Sequence, residues 1–243
     1  MKFSFVVLTW NRKAFLEKCL ASLAESIGTF DETEVIVMDN GSTDGTAAVL
    51  AAYEGRKGFR VIRLDRNYGL NSYKKLFNKA KGKYIVVVDD DVLTFPKNLK
   101  AVFESYMNAF PDYGFLALDV IQNEYTNGAK PTADFYVETE RAGKIVQTGP
   151  AGGWCACFRK WDYRKVMIPF NLKQLNMKSS EDGQLVGLFA KWLKLKSGII
   201  KGHYCFHASG PHYSSEYGYL DRDIEKYKDA GLDWFVEKYE EYK

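Results

Sequence analysis

The stretch Tyr84-Ile85-Val86-Val87-Val88-Asp89-Asp90-Asp91 decides the fold, because five apolar residues run directly into three acids. A continuous apolar run is typical of a strand that is covered on both faces. Three adjacent carboxylates repel one another, and a divalent cation such as Mn²⁺ or Mg²⁺ would relieve that repulsion with hard oxygen ligands. The sequence therefore predicts a buried strand that ends in a metal site. An acidic turn that caps the next helix is the alternative interpretation.

Similar strand patterns occur on either side of this stretch and alternate with helical patterns. The predicted strands are residues 3–9, 35–38, 59–64, 84–88 and 114–119, and the predicted helices are residues 12–26, 43–53, 70–80 and 98–110. This alternation predicts an α/β fold with a doubly wound, mostly parallel, Rossmann-like sheet. Ligands of such sheets bind beyond the carboxyl ends of the strands. Polar clusters follow four of the strands, at residues 9–12, 39–42, 65–69 and 89–91, and we expect them to form one site.

The second half of the chain loses this alternation. Its predicted elements are a loop at 123–130, a hairpin of residues 135–138 and 144–148 about Arg141-Ala142-Gly143, a helix at 181–192, a strand at 197–206 and a charged amphipathic helix from Tyr219. We expect a single domain of residues 1–243 with a smaller mixed β region in this half. The C-terminal helix is expected to pack on its own domain, because its basic and acidic residues are nearly balanced.

Composition restricts the class of protein. The 243 residues are 46% hydrophobic, and 34 basic residues face 31 acidic ones, a balance too even to indicate nucleic-acid binding. Cys19, Cys155, Cys157 and Cys205 lack zinc-type spacing, and we interpret them as reduced, mostly buried thiols of a cytoplasmic protein. No stretch approaches the roughly 18 apolar residues of a membrane span. Peripheral contact with the inner face of the cell membrane and a homodimer stay open.

Five motifs occur in a fixed order along the chain. They are Thr9-Trp10-Asn11-Arg12, Asp39-Asn40-Gly41-Ser42-Thr43-Asp44, Asn67-Tyr68-Gly69, the stretch from Gly82-Lys83 to Asp89-Asp90-Asp91, and Glu181-Asp182. Together they resemble the motifs of the inverting, nucleotide-sugar-dependent glycosyltransferases of family 2, which have the GT-A fold. The resemblance is continuous over residues 2–95 and looser through residue 210. It implies a nucleotide-sugar-binding half at about 1–120, an acceptor-binding half at about 121–215 and a C-terminal helix at 216–243.

The resemblance also implies roles on the donor side. Asp39 would read the donor base, Asp89 would face the ribose, and Asp91 would hold the metal together with His207. The residues expected to bind the donor nucleotide are Thr9, Asn11, Arg12, Asp39, Asn67, Gly69, Lys74, Asp89 and Asp90. Lys74 is included because Tyr73-Lys74-Lys75 stands where many relatives have an Arg-Asn pair. From the residues alone, His207 is equally well interpreted as a hydrogen-bonded strand histidine.

On the acceptor side, Asp182 of the Glu181-Asp182 pair resembles the general base that deprotonates the acceptor hydroxyl, and both acids of the pair are candidate catalytic residues. Gly152-Gly153-Trp154 resembles the flexible loop near the sugar and the acceptor. The residues themselves allow other interpretations, since acids are also favoured at the start of a helix. Packing in the core is at least as good an explanation for Trp154.

The predicted function is metal-dependent, inverting transfer of a sugar from a UDP-, GDP- or dTDP-linked donor to a hydroxyl of a saccharide or lipid-linked acceptor. Cell-surface polysaccharide biosynthesis is the setting that family analogy indicates. A sugar nucleotidyltransferase is one alternative, but it needs a glycine-rich loop after the first strand, and Thr9-Trp10-Asn11-Arg12 has no glycine. A non-catalytic nucleotide- or sugar-binding module is the other alternative.

Overall fold

The computed structural model describes residues 1–243 and contains one ten-stranded sheet. The strands are β1 (Phe3–Thr9), β2 (Thr33–Asp39), β3 (Phe59–Arg63), β4 (Tyr84–Asp89), β5 (Val92–Thr94), β6 (Tyr113–Ile121), β7 (Val137–Arg141), β8 (Lys144–Thr148), β9 (Cys155–Arg159) and β10 (Lys196–His207). The helices are α1 (Lys13–Ile27), α2 (Thr46–Ala51), α3 (Ser72–Lys79), α4 (Leu99–Ala109), α5 (Lys160–Asn171), α6 (Glu181–Leu188), α7 (Pro211–Glu216), α8 (Leu220–Asp229) and α9 (Asp233–Glu240).

The first half of the chain forms four adjacent parallel strands of the sheet, in the order β3-β2-β1-β4. All of β2 and the first five residues of β4 are buried, as continuous apolar runs predict. Burial of each such Val or Ile side chain contributes about 1.5–3 kcal/mol. The predicted α/β, mostly parallel sheet is confirmed. Its strand ends place Thr9, Asp39 and Asp89 along one edge.

The second half extends this same sheet rather than forming a separate β region. Strand β9 lies antiparallel between β4 and β6, although the sequence predicted only an apolar stretch there. Five apolar residues are too few for periodicity to distinguish a strand from a buried helix segment. The predicted hairpin is confirmed as β7 and β8, with the turn at Ala142 and Gly143. The predicted helix at 181–192 continues from α6 as a π-helical turn, Phe189–Leu193.

The end of β10 determines where His207 lies. This strand pairs with β6 over most of its length, and its register shifts at Phe206 and His207, where it pairs with β5 instead. His207 is thereby opposite Val92, and the Ala208 amide donates to the Asp91 carbonyl oxygen at 2.9 Å. The pairing of β5 and β10 therefore joins a histidine late in the chain to the acidic stretch after β4.

The prediction of one C-terminal helix is wrong, because the tail forms two helices, α8 and α9. They are separated near Gly231, whose φ of +60° favours glycine and ends the first helix. Ile224, Tyr227, Val236 and Tyr239 form a small apolar core between them. The tail packs on its own domain as expected, with the Arg222 guanidinium donating to the Trp10 carbonyl oxygen at 2.7 Å.

Asp223 holds α8 in place through buried contacts. Its side chain is almost fully buried, accepts a hydrogen bond from Ser214 Oγ at 2.6 Å and lies 3.4 Å from Lys226 Nζ. Burial opposes the charge on Asp223, but Lys226, Arg12 and Arg222 outweigh it and hold the pKa of the carboxyl below its usual value. A carboxylate with a lowered pKa stabilises the folded state at pH values above its unfolded pKa, and this contribution is lost as the pH falls.

We expect Asp223→Asn to destabilise the protein by about 2–4 kcal/mol at neutral pH, because it leaves Arg222 and Lys226 without their buried partner. Thermal unfolding measured between about pH 7 and about pH 3 should show the difference from the wild type shrinking as the pH falls below about 4. Asp221→Asn is the matched control, since Asp221 lies on the same helix with an exposed side chain. Equal melting temperatures for the wild type and Asp223→Asn at neutral pH would contradict this account.

Candidate functional site

A cavity of about 870 Å³ opens at the carboxyl ends of β1 and β4. It is lined by the loops after these strands, by residues 67–71, 127–129 and 174–177, and by side chains of α8 and α9. This is the edge at which doubly wound sheets bind ligands, and the volume suits a ligand of roughly nucleotide size. Of the residues predicted for the site, Thr9, Arg12, Asn67, Gly69, Asp89, Asp90, Asp91 and His207 line it.

Asp89, Asp91 and His207 form a potential metal centre on the floor of this cavity. Each offers one ligand atom, and these atoms all lie within 4.8 Å of one another. Asp91 Oδ1 is 3.0 Å and Asp89 Oδ2 is 3.7 Å from His207 Nε2. His207 and Asp91 are held by the pairing of β10 with β5, and Asp89 is fixed by its backbone amide, which donates to the Trp154 carbonyl oxygen at 3.0 Å.

The three acids have a counter-ion within the protein itself, Arg12. Its Nη1 lies 2.9 Å from Asp90 Oδ1 and 2.9 Å from Asp91 Oδ2. Thr9 Oγ1 also donates to Asp90 Oδ2 at 2.7 Å. Arg12 precedes the acids by almost eighty residues, so only the parallel pairing of β1 with β4 brings it to them. Asp90 is therefore an internal counter-ion of Arg12, and it leaves Asp89 and Asp91 to face His207.

The charged groups of the cluster shift one another's pKa values. Burial opposes ionisation of Asp91, but Arg12 and His207 outweigh it and hold the pKa of Asp91 below its usual value. Burial, together with the neighbouring acids, raises the pKa of Asp89 to about 7 despite the opposing effect of His207. Burial and, more weakly, Arg12 act to lower the pKa of His207, but Asp91 and Asp89 outweigh them and raise it.

The residues present fit a divalent cation. Asp91 Oδ1 is buried and accepts no hydrogen bond of good geometry, and His207 Nδ1 is likewise unpaired. A cation between Asp89, Asp91 and His207 would satisfy the Asp91 oxygen, since carboxylate oxygens and an imidazole nitrogen are common ligands of divalent metals. Unsatisfied buried polar atoms are uncommon in folded proteins and often indicate a missing ion or ligand.

The loop after β2 turns Asp39 away from the cavity. Asp39 Oδ1 accepts a hydrogen bond from the Ser42 amide at 2.9 Å, and the residue is buried outside the cavity lining. Asn40 lines the cavity instead, although the sequence did not indicate it as a site residue. Its side chain donates to Asn67 Oδ1 at 2.7 Å and accepts from the Tyr68 amide at 3.0 Å. The role of Asp39 in reading the base therefore stays a prediction, and Asn40 is the residue that positions the Asn67 loop.

Gly41 permits the close approach of these two loops. Its φ is +76°, and a Cβ at this position would lie 2.6 Å from backbone atoms of Arg66. We expect Gly41→Ala to destabilise the fold by about 1–3 kcal/mol and to displace Asn67 from the cavity, because both the φ angle and the contact resist a side chain. Thermal unfolding and nucleotide binding would measure the two effects. Gly55→Ala is the control, since Gly55 has a φ of +75° with open space around it; equal losses in both variants would exclude the contact as the cause.

Two other residues expected at the donor site have structural partners instead. Asn11 lies outside the cavity lining with φ +50°, and its Oδ1 accepts from the Thr43 amide at 2.7 Å, which holds the loops after β1 and β2 together. Lys74 directs its ammonium group to the Lys173 carbonyl oxygen, so it joins α3 to the end of α5. Neither residue lines the cavity, and donor binding by Asn11 and Lys74 stays a prediction.

Glu181 and Asp182 begin α6 beside the Gly152-Gly153 loop. Asp182 Oδ2 accepts from the Gly153 amide at 2.7 Å and its Oδ1 accepts from the Gly183 amide at 2.6 Å. Burial, with Asp182 and Asp89 nearby, raises the pKa of Glu181 well above its usual value. Asp182 is close enough to Asp89 to raise the pKa of that carboxyl too. The Trp154 carbonyl oxygen, next to this loop, accepts from the Asp89 amide at 3.0 Å, so the Gly152-Gly153 loop and Asp182 adjoin the metal cluster, although they do not line the cavity.

The ring of Trp154 packs in the core. The residue is 4% exposed, and its Nε1 donates to the Leu118 carbonyl oxygen at 3.0 Å. The ring lies 6.4 Å from that of His207, so it packs beside the metal cluster. Core packing is the interpretation that its apolar surface already allowed, and a place of the Gly152-Gly153-Trp154 loop near the sugar and the acceptor stays a prediction.

Two basic residues of α8 belong to the cavity lining, and sequence reasoning missed both of them. Arg222 and Lys226 both line it, and Arg222 Nε and Arg12 Nε are buried without hydrogen-bond partners. Arg222 Nη1 pairs with Asp223. The only signal in the sequence was the basic and acidic alternation of the tail, which is equally typical of a solvated helix. Three basic side chains thus border a cavity whose floor holds the acidic cluster.

Comparison with known families gives one match over most of the chain. The model for glycosyl transferase family 2 matches residues 4–164. Among curated proteins, the chain is 31% identical over 102 residues to poly(ribitol-phosphate) beta-N-acetylglucosaminyltransferase TarS of Staphylococcus aureus, a match that covers 41% of this chain and 18% of that protein. It is also 31% identical over 110 residues to validoxylamine A glucosyltransferase of Streptomyces hygroscopicus, covering 44% of this chain and 26% of that one. The matches thus span well under half the length of these curated relatives.

Solved structures with the same fold include GT-A glycosyltransferases. S. aureus TarS 1-349 in complex with UDP-GlcNAc superposes with a TM-score of 0.65 at 18% identity, covering 100% of this chain and 72% of that one. Mannosyltransferase PcManGT from Pyrobaculum calidifontis in complex with GDP-Man and Mn²⁺ superposes with a TM-score of 0.65 at 14% identity, covering 99% and 73%. At these identities the likeness shows the fold.

Proposed function

This chain belongs to glycosyl transferase family 2, and from that premise we propose that it transfers a sugar from a nucleotide-sugar donor to a hydroxyl of a saccharide or lipid-linked acceptor. The observation that carries the proposal is the cluster of Asp89, Asp91 and His207 in a nucleotide-sized cavity at the carboxyl edge of the sheet. A divalent ion held by these three residues would act as a Lewis acid for the departing diphosphate.

The side chains around the cluster are suited to the negative charge of a nucleoside diphosphate. Arg12, Arg222 and Lys226 border the same cavity, and both arginines keep an unpaired buried Nε. Preorganised positive groups in a site shielded from water stabilise charge that develops on the leaving group. In this proposal the residues at the strand ends bind the diphosphate on the side of the sheet, and α8 lies over its opposite side.

Asp182 is the proposed base for the acceptor. Two backbone amides hold its carboxylate in place, and remaining lone pairs can accept the proton of an acceptor hydroxyl. In the transfer, the acceptor oxygen forms a bond to the anomeric carbon, the bond from that carbon to the diphosphate oxygen breaks, and the hydroxyl proton moves to Asp182. One displacement on the face opposite the leaving group inverts the anomeric centre. A positioned base contributes about 10²–10⁴-fold to the rate.

Relatives of the chain indicate which substrates to test. UDP-GlcNAc is bound in the TarS structure and GDP-Man in the PcManGT structure. An undecaprenyl-phosphate 4-deoxy-4-formamido-L-arabinose transferase of Aeromonas hydrophila is 30% identical over 116 residues, covering 46% of this chain and 35% of that protein. We propose a UDP- or GDP-linked donor and a cell-surface saccharide or lipid-linked acceptor, with residues 1–120 binding the donor and residues 121–215 the acceptor.

A thermal-shift series with UDP, GDP and dTDP, each with and without Mn²⁺, tests this function. One nucleotide should raise the melting temperature together with the metal, since a ligand at one hundred times its Kd contributes about 2.7 kcal/mol. The corresponding nucleotide sugar should then undergo slow, Mn²⁺-dependent hydrolysis. Metal-dependent binding without any hydrolysis or transfer would favour the non-catalytic module, and release of pyrophosphate from a nucleoside triphosphate and a sugar phosphate would favour the nucleotidyltransferase.

A further inference from the structure

Helix α5 presents an apolar stripe to solvent on the side that packs away from the sheet. Trp161, Ile168 and Leu172 are 66%, 70% and 82% exposed and follow one another at helical spacing. The opposite face of the helix is ordinary core, with Tyr163, Val166 and Phe170 buried. Neither the fold nor the proposed transfer reaction uses the exposed stripe. Three large apolar side chains in a row on an exposed helix indicate a surface that meets another apolar phase.

Basic residues predominate in the sequence around this stripe. Residues 163–180 contain four basic residues and no acid, and residues 66–88, which include α3, contain six basic residues and no acid. The one acid at the start of α5, Asp162, is buried and paired with Arg159 and Lys165. We define the α5 face as Trp161, Arg164, Lys165, Ile168, Leu172 and Lys173.

The basic residues of α3 adjoin this face. Tyr163 Oη donates to Asn78 Oδ1 at 2.9 Å, and Lys160 and Lys74 donate to the carbonyl oxygens of Ala80 and Lys173. On the other side, α5 packs against the π-helical turn that carries the exposed Trp192 between Lys191 and Lys194. Basic side chains therefore lie beside the exposed apolar side chains of α5 and of the neighbouring π-helical turn.

We propose that the α5 face docks on an anionic lipid membrane. Tryptophan and aliphatic side chains on a basic helix lie at the boundary between head groups and acyl chains, and each nearby Lys or Arg adds attraction to acidic lipids. A second copy of the chain fits less well, since two such faces would oppose like charges. A nucleic acid would leave the apolar stripe without a partner, because its backbone is contacted by polar groups.

The docking also determines which side of the cavity faces the membrane. Leu172 and Lys173, at the end of α5, lead directly into Gln174–Met177, which line the cavity. Contact through α5 therefore brings one rim of the cavity to the lipid surface. Membrane binding itself does not depend on the proposed transfer; the consequence that a lipid-linked acceptor can reach the site does rest on it.

Vesicle flotation of the full chain tests the docking. The protein should bind vesicles of phosphatidylcholine with about one-third phosphatidylglycerol, bind poorly to pure phosphatidylcholine, and dissociate as salt is raised. Arg164→Glu with Lys173→Glu should weaken binding at least about 25-fold, because each basic residue near an anionic surface contributes about fivefold. Trp161→Ser with Leu172→Ser should abolish flotation without changing the melting temperature, since both side chains are exposed.

Trp234→Ser is the matched control. Trp234 is 63% exposed, as Trp161 is, but it lies on α9 beside Asp233 and Glu237, and its replacement should leave flotation unchanged. The proposal is overturned if the wild type does not bind the mixed vesicles, if the control loses binding as strongly as the α5 variants, or if the α5 variants abolish a dimer instead. Donor hydrolysis measured in solution for each variant should match the wild type, so failure of the docking and failure of the proposed enzymatic function give different results.

Discussion

Replacing Asp91 with asparagine is expected to abolish transfer while the protein stays folded. Asp91 is the member of the cluster that faces both His207 Nε2 and Arg12 Nη1, at 3.0 Å and 2.9 Å. Asparagine keeps the shape of the side chain but removes the charge that would hold a divalent cation. We expect the rate to fall at least about 10²–10³-fold, the effect of removing one preorganised electrostatic partner of a transition state. Donor hydrolysis at increasing Mn²⁺ measures it, and the stabilisation by Mn²⁺ with nucleotide should be lost as well.

Asp119→Asn is the control for the removal of a buried, ion-paired carboxylate. Asp119 lies near the end of β6, is 5% exposed and pairs with Lys130 at 2.7 Å, but it does not line the cavity. This variant should lose stability and keep its response to Mn²⁺. If Asp91→Asn retains both metal-dependent stabilisation and full hydrolysis, the metal centre does not include Asp91 and the proposed function loses its main support.

Asp182→Asn is expected to lower transfer by about 10²–10⁴-fold, the contribution of a general base, with donor binding close to normal. Asparagine can still accept one backbone hydrogen bond at this position but cannot take up the proton of the acceptor hydroxyl. The measurement is kcat for transfer to an acceptor, alongside the Kd for the nucleotide. A loss in kcat with an unchanged Kd distinguishes a base from a residue that merely holds the Gly152-Gly153 loop.

The variant Glu181→Gln tests whether Glu181 or Asp182 is the base. Burial keeps the pKa of Glu181 high, and its oxygen is 3.3 Å from the position that a Cβ on Gly153 would take. We expect this variant to retain most of its activity, because a neutral carboxyl and a carboxamide pack alike. The opposite pattern, with Glu181→Gln inactive and Asp182→Asn active, would assign the base to Glu181.

Much of the fold could be predicted from the sequence because its parallel half is made of local signals. Each buried strand is a continuous apolar run, each is followed by polar residues, and each helix has apolar residues at helical spacing. The insertion of β9 between β4 and β6 could not be predicted, because strand order depends on tertiary contacts that Cys155–Arg159 does not encode by itself. The break between α8 and α9 rests on a single glycine in the left-handed conformation, Gly231, within an otherwise helical pattern.

Part of the candidate site could likewise be predicted from the sequence. The family resemblance implies Asp91 and His207 as metal ligands and Asp89 as a residue that faces the ribose, and the structure brings ligand atoms of all three within 4.8 Å of one another. The positions of two basic residues could not be found, since Arg12 reaches Asp90 and Asp91 only through the pairing of β1 with β4, and Arg222 reaches the cavity only through the packing of α8. Asn40 shows the same limit, because its role consists of hydrogen bonds to Asn67 and Tyr68 on a separate loop.

Arg12 has a consequence for the stability of the protein when divalent cations are removed. Its guanidinium pairs with Asp90 and Asp91 inside the cluster, so part of the negative charge there is balanced by the protein itself. We therefore expect a chelator to leave the melting temperature of the nucleotide-free protein unchanged. The proposed metal-dependent transfer should stop under chelation and resume when the cation is added back, without refolding.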